Sequence, residues 1–222
     1  MTTITEPEPI GEKHIREEKK IGEKAAGIYS VLLHPFIMPT YGVVALLYGP
    51  AYISILPGML KLYIVAIFLL STLFFPAFTI GVLKYLKIIP DLSLTTQRER
   101  TLPLLVVAVG YVMCYILLSR YLVIGLLPQL LIGAVGVIIV CFAVNLFWKI
   151  SFHMAAIGGV IGFLIFVTMR GYGDMTAQWL LFTVLAGGLG TARLYLGSHT
   201  IMQVLAGFCG GVGVMLLLLN IF

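Results

Sequence analysis

Negative charge is what this chain has least of. Of 222 residues only nine are Asp or Glu. Six of them, Glu6, Glu8, Glu12, Glu17, Glu18 and Glu23, precede residue 25, which leaves Asp91, Glu99 and Asp174 for the remainder. A two-metal site, or a prenyltransferase-type DxxxD cluster, needs several carboxylates close together, and three distant ones cannot build it. Charge of either sign amounts to 10% of the chain against 60% hydrophobic residues, which excludes a soluble domain of ordinary composition. Cysteine is scarce as well: Cys114, Cys141 and Cys209 each sit inside an apolar run, without CxxC or Cys–His spacing. They read as small packing residues, neither a disulfide framework nor a metal site. No cleaved signal peptide is expected, because about 25 polar residues precede the first apolar run and no small-residue cleavage site follows it. The net charge of +5 does not point to nucleic acid, since the basic residues are scattered over loops. A membrane surface is the partner that this pattern implies.

What is present in abundance is hydrocarbon in long runs. About 20 apolar residues let a helix cross roughly 30 Å of bilayer. Seven such runs are expected, at 27–49, 62–86, 102–122, 126–148, 152–169, 177–196 and 199–221. Between the third and fourth only "VIGLLPQ" marks a turn, so the count is six or seven. The fold class is therefore an all-α polytopic membrane helix bundle. Residues 1–26 form a polar tail or an interfacial helix, and 27–222 form the transmembrane domain. Among the 24 glycines, Gly158 and Gly162 are four apart in the fifth run, and Gly207 and Gly211 repeat the spacing in the seventh. Small residues so spaced let helix backbones approach closely in lipid.

Ionisable side chains in such spans are costly, about 2.5–3.5 kcal/mol for Arg on insertion scales, and tend to face a polar cavity or mark a site. Two spans begin with a histidine, His153 and His199, and Arg193 precede the latter by six residues in "ARLYLGSHTIMQ". On a continuous helix that separation would put Arg193 and His199 on different faces, but Gly197 and Ser198 allow a break that turns both toward one site. Ser198 is the expected N-cap of the last helix. Gln203, one turn beyond His199, can hydrogen-bond the imidazole and fix its orientation. Such an Arg–His–Gln cluster beside helix N–H groups suits a phosphate. His34 in "LLHPFIMPTYG" reads as structural, satisfying carbonyls freed by Pro35 and Pro39. Trp148 and Tyr195 read as interface aromatics.

At these residues the sequence resembles the type-2 phosphatidic acid phosphatases, whose fold is shared with the vanadium haloperoxidases. The family's third motif, S-R-x5-H-x3-D, is similar to Ala192, Arg193, His199 and Gln203. Its second, P-S-G-H, is similar to "ISFH", which keeps Ser151 and His153 but has Ile150 and Phe152 for Pro and Gly. Its first, K-x6-R-P, aligns at Pro103, with Leu102 and Thr95 at the basic positions and Arg98 and Arg100 close by. The resemblance covers roughly residues 90–215. It implies hydrolysis of a lipid phosphate or pyrophosphate with no metal or other cofactor. His199 would be the nucleophile and His153 the acid. Arg193, with Arg98 or Arg100, would hold the phosphate beside Ser151. Gln203 in place of the family's aspartate, and Phe152 in place of glycine, count against turnover. A relative that binds lipid phosphate without hydrolysing it, or a small-molecule transporter, is the alternative.

Even numbers of expected spans separate residues 84–101, His153 and the Arg193–His199 junction, so all three emerge on one membrane face. The family implies a bacterial inner membrane, commonly its outer face. Charge points the other way. Lys13, Arg16, Lys19, Lys20, Lys24, Lys84, Lys87, Arg98, Arg100, Lys149 and Arg193 lie on the N-terminal side, against Lys61, Arg120 and Arg170 opposite. The positive-inside rule then puts the N-terminus and the site in the cytoplasm. No residue reads the lipid beyond its phosphate, and none sets an oligomeric state.

Overall fold

The computed structural model describes residues 10–87, 97–118 and 125–221. Its regular elements are all helices: α1 (Ile10–Leu32), α2 (Met38–Tyr48), α3 (Gly58–Leu69), α4 (Phe75–Tyr85), α5 (Gln97–Leu118), α6 (Leu126–Asn145), α7 (Phe152–Met169), α8 (Thr176–Tyr195) and α9 (Ile201–Ile221). A single isolated β-bridge, Ala51 to Gly173, is the one extended pairing among the described residues.

Four helices among the described residues are long and apolar enough to cross a membrane: Gly58–Tyr85, α6, α7 and α9. They match the expected second, fourth, fifth and seventh spans; the other three differ, each for a local reason. The first, 27–49, is two helices. α1 carries straight from the polar segment through residue 26 to Leu32. It stops there because Pro35 lacks an N–H and disfavours the helical conformation at His34. α2 then restarts with Pro39 in its first turn. The third, α5, holds Pro103 near its start, and its continuous apolar part, Leu105–Leu118, is short. The sixth, α8, has the length but falls short in hydropathy, with Gln178 and Arg193 near its two ends. α5 and α6 are separate helices packed against each other, so the "VIGLLPQ" region does divide two elements.

The span Gly58–Tyr85 runs through a π-helical turn at Leu70–Phe74, just before Pro76. Proline cannot supply the N–H that would continue the α pattern, and a widened turn absorbs the missing bond. Against this turn lies Gly110 of α5, where any side chain would strike the Ser71 carbonyl.

α7 is the central helix, with 67% of its apolar window buried against 28–39% for the other three spans. Its closest neighbour is α9, and the glycine pairs explain why. A methyl at Gly207 would sit 2.6 Å from the Ser151 carbonyl oxygen, and one at Gly162 would sit 2.8 Å from that of Val212. Gly158 and Gly211 are blocked in the same way by Phe208 and Ala155. Only glycine lets the two backbones touch. Contacts advance together along both helices, so α7 and α9 are parallel and their first turns lie side by side. Ser151 N–H donates to the Gln203 carbonyl at 3.3 Å and ties those turns together.

Candidate functional site

The α8–α9 junction is built from two caps placed back to back. Gly197 takes φ +60°, a left-handed conformation that favours glycine. Gly197 N–H then donates to the Leu194 carbonyl (2.9 Å) and Ser198 N–H to that of Arg193 (3.1 Å). This is a Schellman motif, and it ends α8 abruptly. Three residues later Thr200 and Gln203 form a capping box. Thr200 N–H donates to Gln203 Oε1 at 3.1 Å, and Gln203 N–H donates to Thr200 Oγ1 at 3.4 Å. The N-cap of α9 is thus Thr200 and not Ser198 as expected, because the reciprocal pair needs Gln three residues on, and Ser198 is already committed to closing α8.

His199 lies between the caps and benefits from the second. Its Nδ1 is 3.2 Å from Gln203 Oε1. That oxygen is identified as the amide's acceptor atom by the Thr200 N–H it also receives, so His199 Nδ1 must be the donor. The imidazole is thereby assigned the Nδ1–H tautomer, with its lone pair on Nε2.

α7 contributes the second histidine. His153, in its first turn, hydrogen-bonds the backbone of Ser30 near the end of α1, and Arg193, His34 and His199 all lie close enough for their charges to act on it. The structure therefore brings together His153, Arg193 and His199, with Gln203 orienting the last. Ser151 is fully buried, and its Oγ has no hydrogen-bond partner among the described residues; its backbone is what joins α7 to α9. The backbones of Arg98 and Arg100 begin α5. Their side chains lie outside the described residues.

His34, expected to be structural, lies beside the site. Its ring meets that of His153 edge-to-face, with centroids 5.4 Å apart. Instead of satisfying carbonyls, its Nδ1 accepts the Phe36 N–H at 3.3 Å, which assigns the neutral ring its proton on Nε2. The signal was present: an ionisable side chain beside a proline break in an apolar run meets the criterion that singled out Arg193 and His199. Beside the two histidines a cavity of about 390 Å³ enters the bundle between α2, α4, α5, α6, α7 and α9. Phe152 lies on its wall, as does Pro103 from the expected first motif.

One cation with a fixed positive charge and three imidazoles around a helix junction can receive a phosphate, and an oriented Nε2 lone pair can attack it. Among the described residues no group of three or more His, Cys, Asp or Glu is arranged to hold a metal ion. Comparison with protein-family models, curated proteins and solved structures finds no match to this chain.

Proposed function

We propose that this protein is a membrane-embedded, metal-independent phosphatase acting on a lipid phosphate. The observation that carries the reading is the convergence of Arg193, His153 and His199 at one end of the bundle, with Gln203 holding His199 in the tautomer that a nucleophile needs. In the proposed reaction Nε2 of His199 bonds to phosphorus while the P–O bond to the lipid breaks. The leaving oxygen takes a proton from His153, and Arg193 offsets charge on the phosphoryl oxygens. The entering phosphate dianion supplies counter-charge for a protonated imidazole. Water then attacks the phosphohistidine, gives its proton to His153, and inorganic phosphate leaves.

Phosphate release by the purified protein from phosphatidic acid, phosphatidylglycerol phosphate, an isoprenoid pyrophosphate and a lipid A phosphate tests this. His199→Ala is expected to abolish turnover, and Arg193→Ala to lower it about 10²–10³-fold, both in folded protein. Turnover retained by His199→Ala, or turnover near the wild-type rate in Arg193→Ala, sinks the mechanism. Gln203 favours a second reading, binding without hydrolysis, because an amide orients His199 but cannot stabilise the positive charge that grows on it. Binding of these lipids with no release would select that reading, and a gain of turnover in Gln203→Asp would identify position 203 as the defect.

In the same reading the end of α1 with α2, α5 and α8 complete seven spans in a bacterial inner membrane, with the N-terminus and the site cytoplasmic. The eleven-to-three distribution of Lys and Arg supports this orientation. Single cysteines at residue 5 and at the C-terminus of a Cys-free variant, exposed to an impermeant thiol reagent, should label from opposite sides. Labelling of residue 5 from outside intact cells overturns the orientation.

A further inference from the structure

We infer that the cavity beside His153 holds the hydrocarbon chain of the substrate and admits one chain, making single-chain phosphate monoesters the preferred substrate class. The inference rests on the phosphatase reading and adds what the phosphate cluster alone does not specify.

Three observations carry it. First, the cavity is walled by hydrocarbon and aromatic side chains, among them Val107, Leu130, Ala134, Val137, Ala156 and Met215, and its polar lining is His34 and His153 with Tyr111 and Cys141. Second, His153 belongs to both regions: it lines the cavity and lies within the charge of Arg193 and His199. A phosphate on His199 therefore has its ester oxygen beside the cavity's histidine end. Third, the cavity is deep and small. Its α6 wall runs from Leu130 to Cys141, about 16 Å by the helical rise. Its volume of about 390 Å³ is near the bottom of the range for small-molecule sites. Carbon chains keep about 4 Å between neighbouring atoms, so a slot this deep and this small is filled by one chain.

Moving a chain from bilayer into this cavity gains little, since lipid tails are as apolar as the wall. Selectivity must then come from shape. A second acyl chain, branching next to the phosphate, would have to be accommodated at the histidine end.

The test uses the full chain in phosphatidylcholine nanodiscs and a dodecyl phosphate bearing a diazirine on its last carbon. Irradiation should label the α6 and α7 segments that line the cavity. Unlabelled dodecyl phosphate should compete at least tenfold better than diacyl phosphatidic acid, and farnesyl phosphate against lysophosphatidic acid then ranks the prenyl and acyl sources of a single chain. Ala156→Phe and Ala134→Phe, from facing helices, should each cut labelling at least fivefold, whereas Leu181→Phe on the exposed face of α8 should not. Adducts confined to exposed positions such as Leu181 and Val184, or equal competition by phosphatidic acid, overturn the inference, and both are read on the unaltered protein. The labelling requires binding and not hydrolysis. Turnover with adducts outside the cavity refutes the chain site alone; cavity adducts without turnover on any lipid refute the phosphatase reading alone.

Discussion

The two ends of the bundle are made from similar parts and use them in opposite ways. At the end away from the histidines, polar groups close on one another. Arg170 reaches Asn220 Oδ1 at 3.4 Å and lies over the Phe166 ring at 5.4 Å, and Lys61 lies over Tyr48 at 4.9 Å. Thr168 Oγ1 accepts the Met175 N–H at 3.1 Å, and Asp174 accepts that of Thr176 at 3.1 Å. Tyr52 N–H pairs with the Tyr172 carbonyl at 2.8 Å, next to the Ala51–Gly173 bridge. At the other end His34 packs against His153, Arg193 and His199 lie within electrostatic reach of that histidine, and the cap beside His199 is the neutral Gln203. Satisfying polar groups locally builds a joint, while gathering groups that carry or accept positive charge builds a place for an anion.

The comparison breaks hardest where α7 and α9 touch, because that contact holds His153 next to His199. Gly211→Leu should cost about 3 kcal/mol through overpacking against backbone, read as thermal unfolding in detergent. Its neighbour Gly210 faces open space, so Gly210→Ala should change stability by less than about 1 kcal/mol, in the stabilising direction. Equal losses at the two positions would show that the glycines are not what sets the approach.

A smaller effect sharpens the contrast in charge. Orthophosphate or vanadate should raise the melting temperature of the purified protein, by the equivalent of about 2.7 kcal/mol at a hundred times its dissociation constant. Arg193→Ala should remove that shift and Arg170→Ala should leave it. A shift of the same size in both variants would mean that the anion does not distinguish the ends.

The smallest effect belongs to Asp174 at the far end. Hydrogen bonds from Thr176, side chain first and backbone second, hold its carboxyl below the usual carboxylate range. A group whose pKa is depressed on folding stabilises the fold above its unfolded value, near 3.8, and loses that contribution as pH falls through the lower folded value. The melting temperature of Asp174→Asn should therefore lie slightly below wild type at pH 7 and approach it as the pH falls below 3.8 and through the lower folded value. A gap that widens on acidification would contradict the assignment.

Legibility divided along the range of the interactions involved. Gly158, Gly162, Gly207 and Gly211 could be read as contact surfaces because their spacing repeats the helical period, and the four strongest spans because hydropathy accumulates along the chain. The pairing of Gln203 with His199 was likewise legible, one helical turn apart. The expected Ser198 cap failed on a local competition: Ser198 and Thr200 are both good caps, and Gln203 selects Thr200 by bonding back to it. The segments at 27–49, 102–122 and 177–196 read as spans but are not among the four helices long and apolar enough to cross a membrane, because a running sum of hydropathy passes through a proline break, or through Gln178 and Arg193, without registering them.

By itself, then, the sequence determined the all-helical class, the membrane-length apolar helices, and a junction at which Arg193, His199 and Gln203 can converge, since each follows from composition or from spacings of a few residues. Only the tertiary structure decided that His34 packs against His153, that α7 is the central helix with α9 parallel to it, and that a cavity opens between six helices beside the histidines. Those features join residues from about fifty to more than a hundred positions apart, through van der Waals contact, backbone approach and empty space, none of which leaves a period or a composition to be read along the chain.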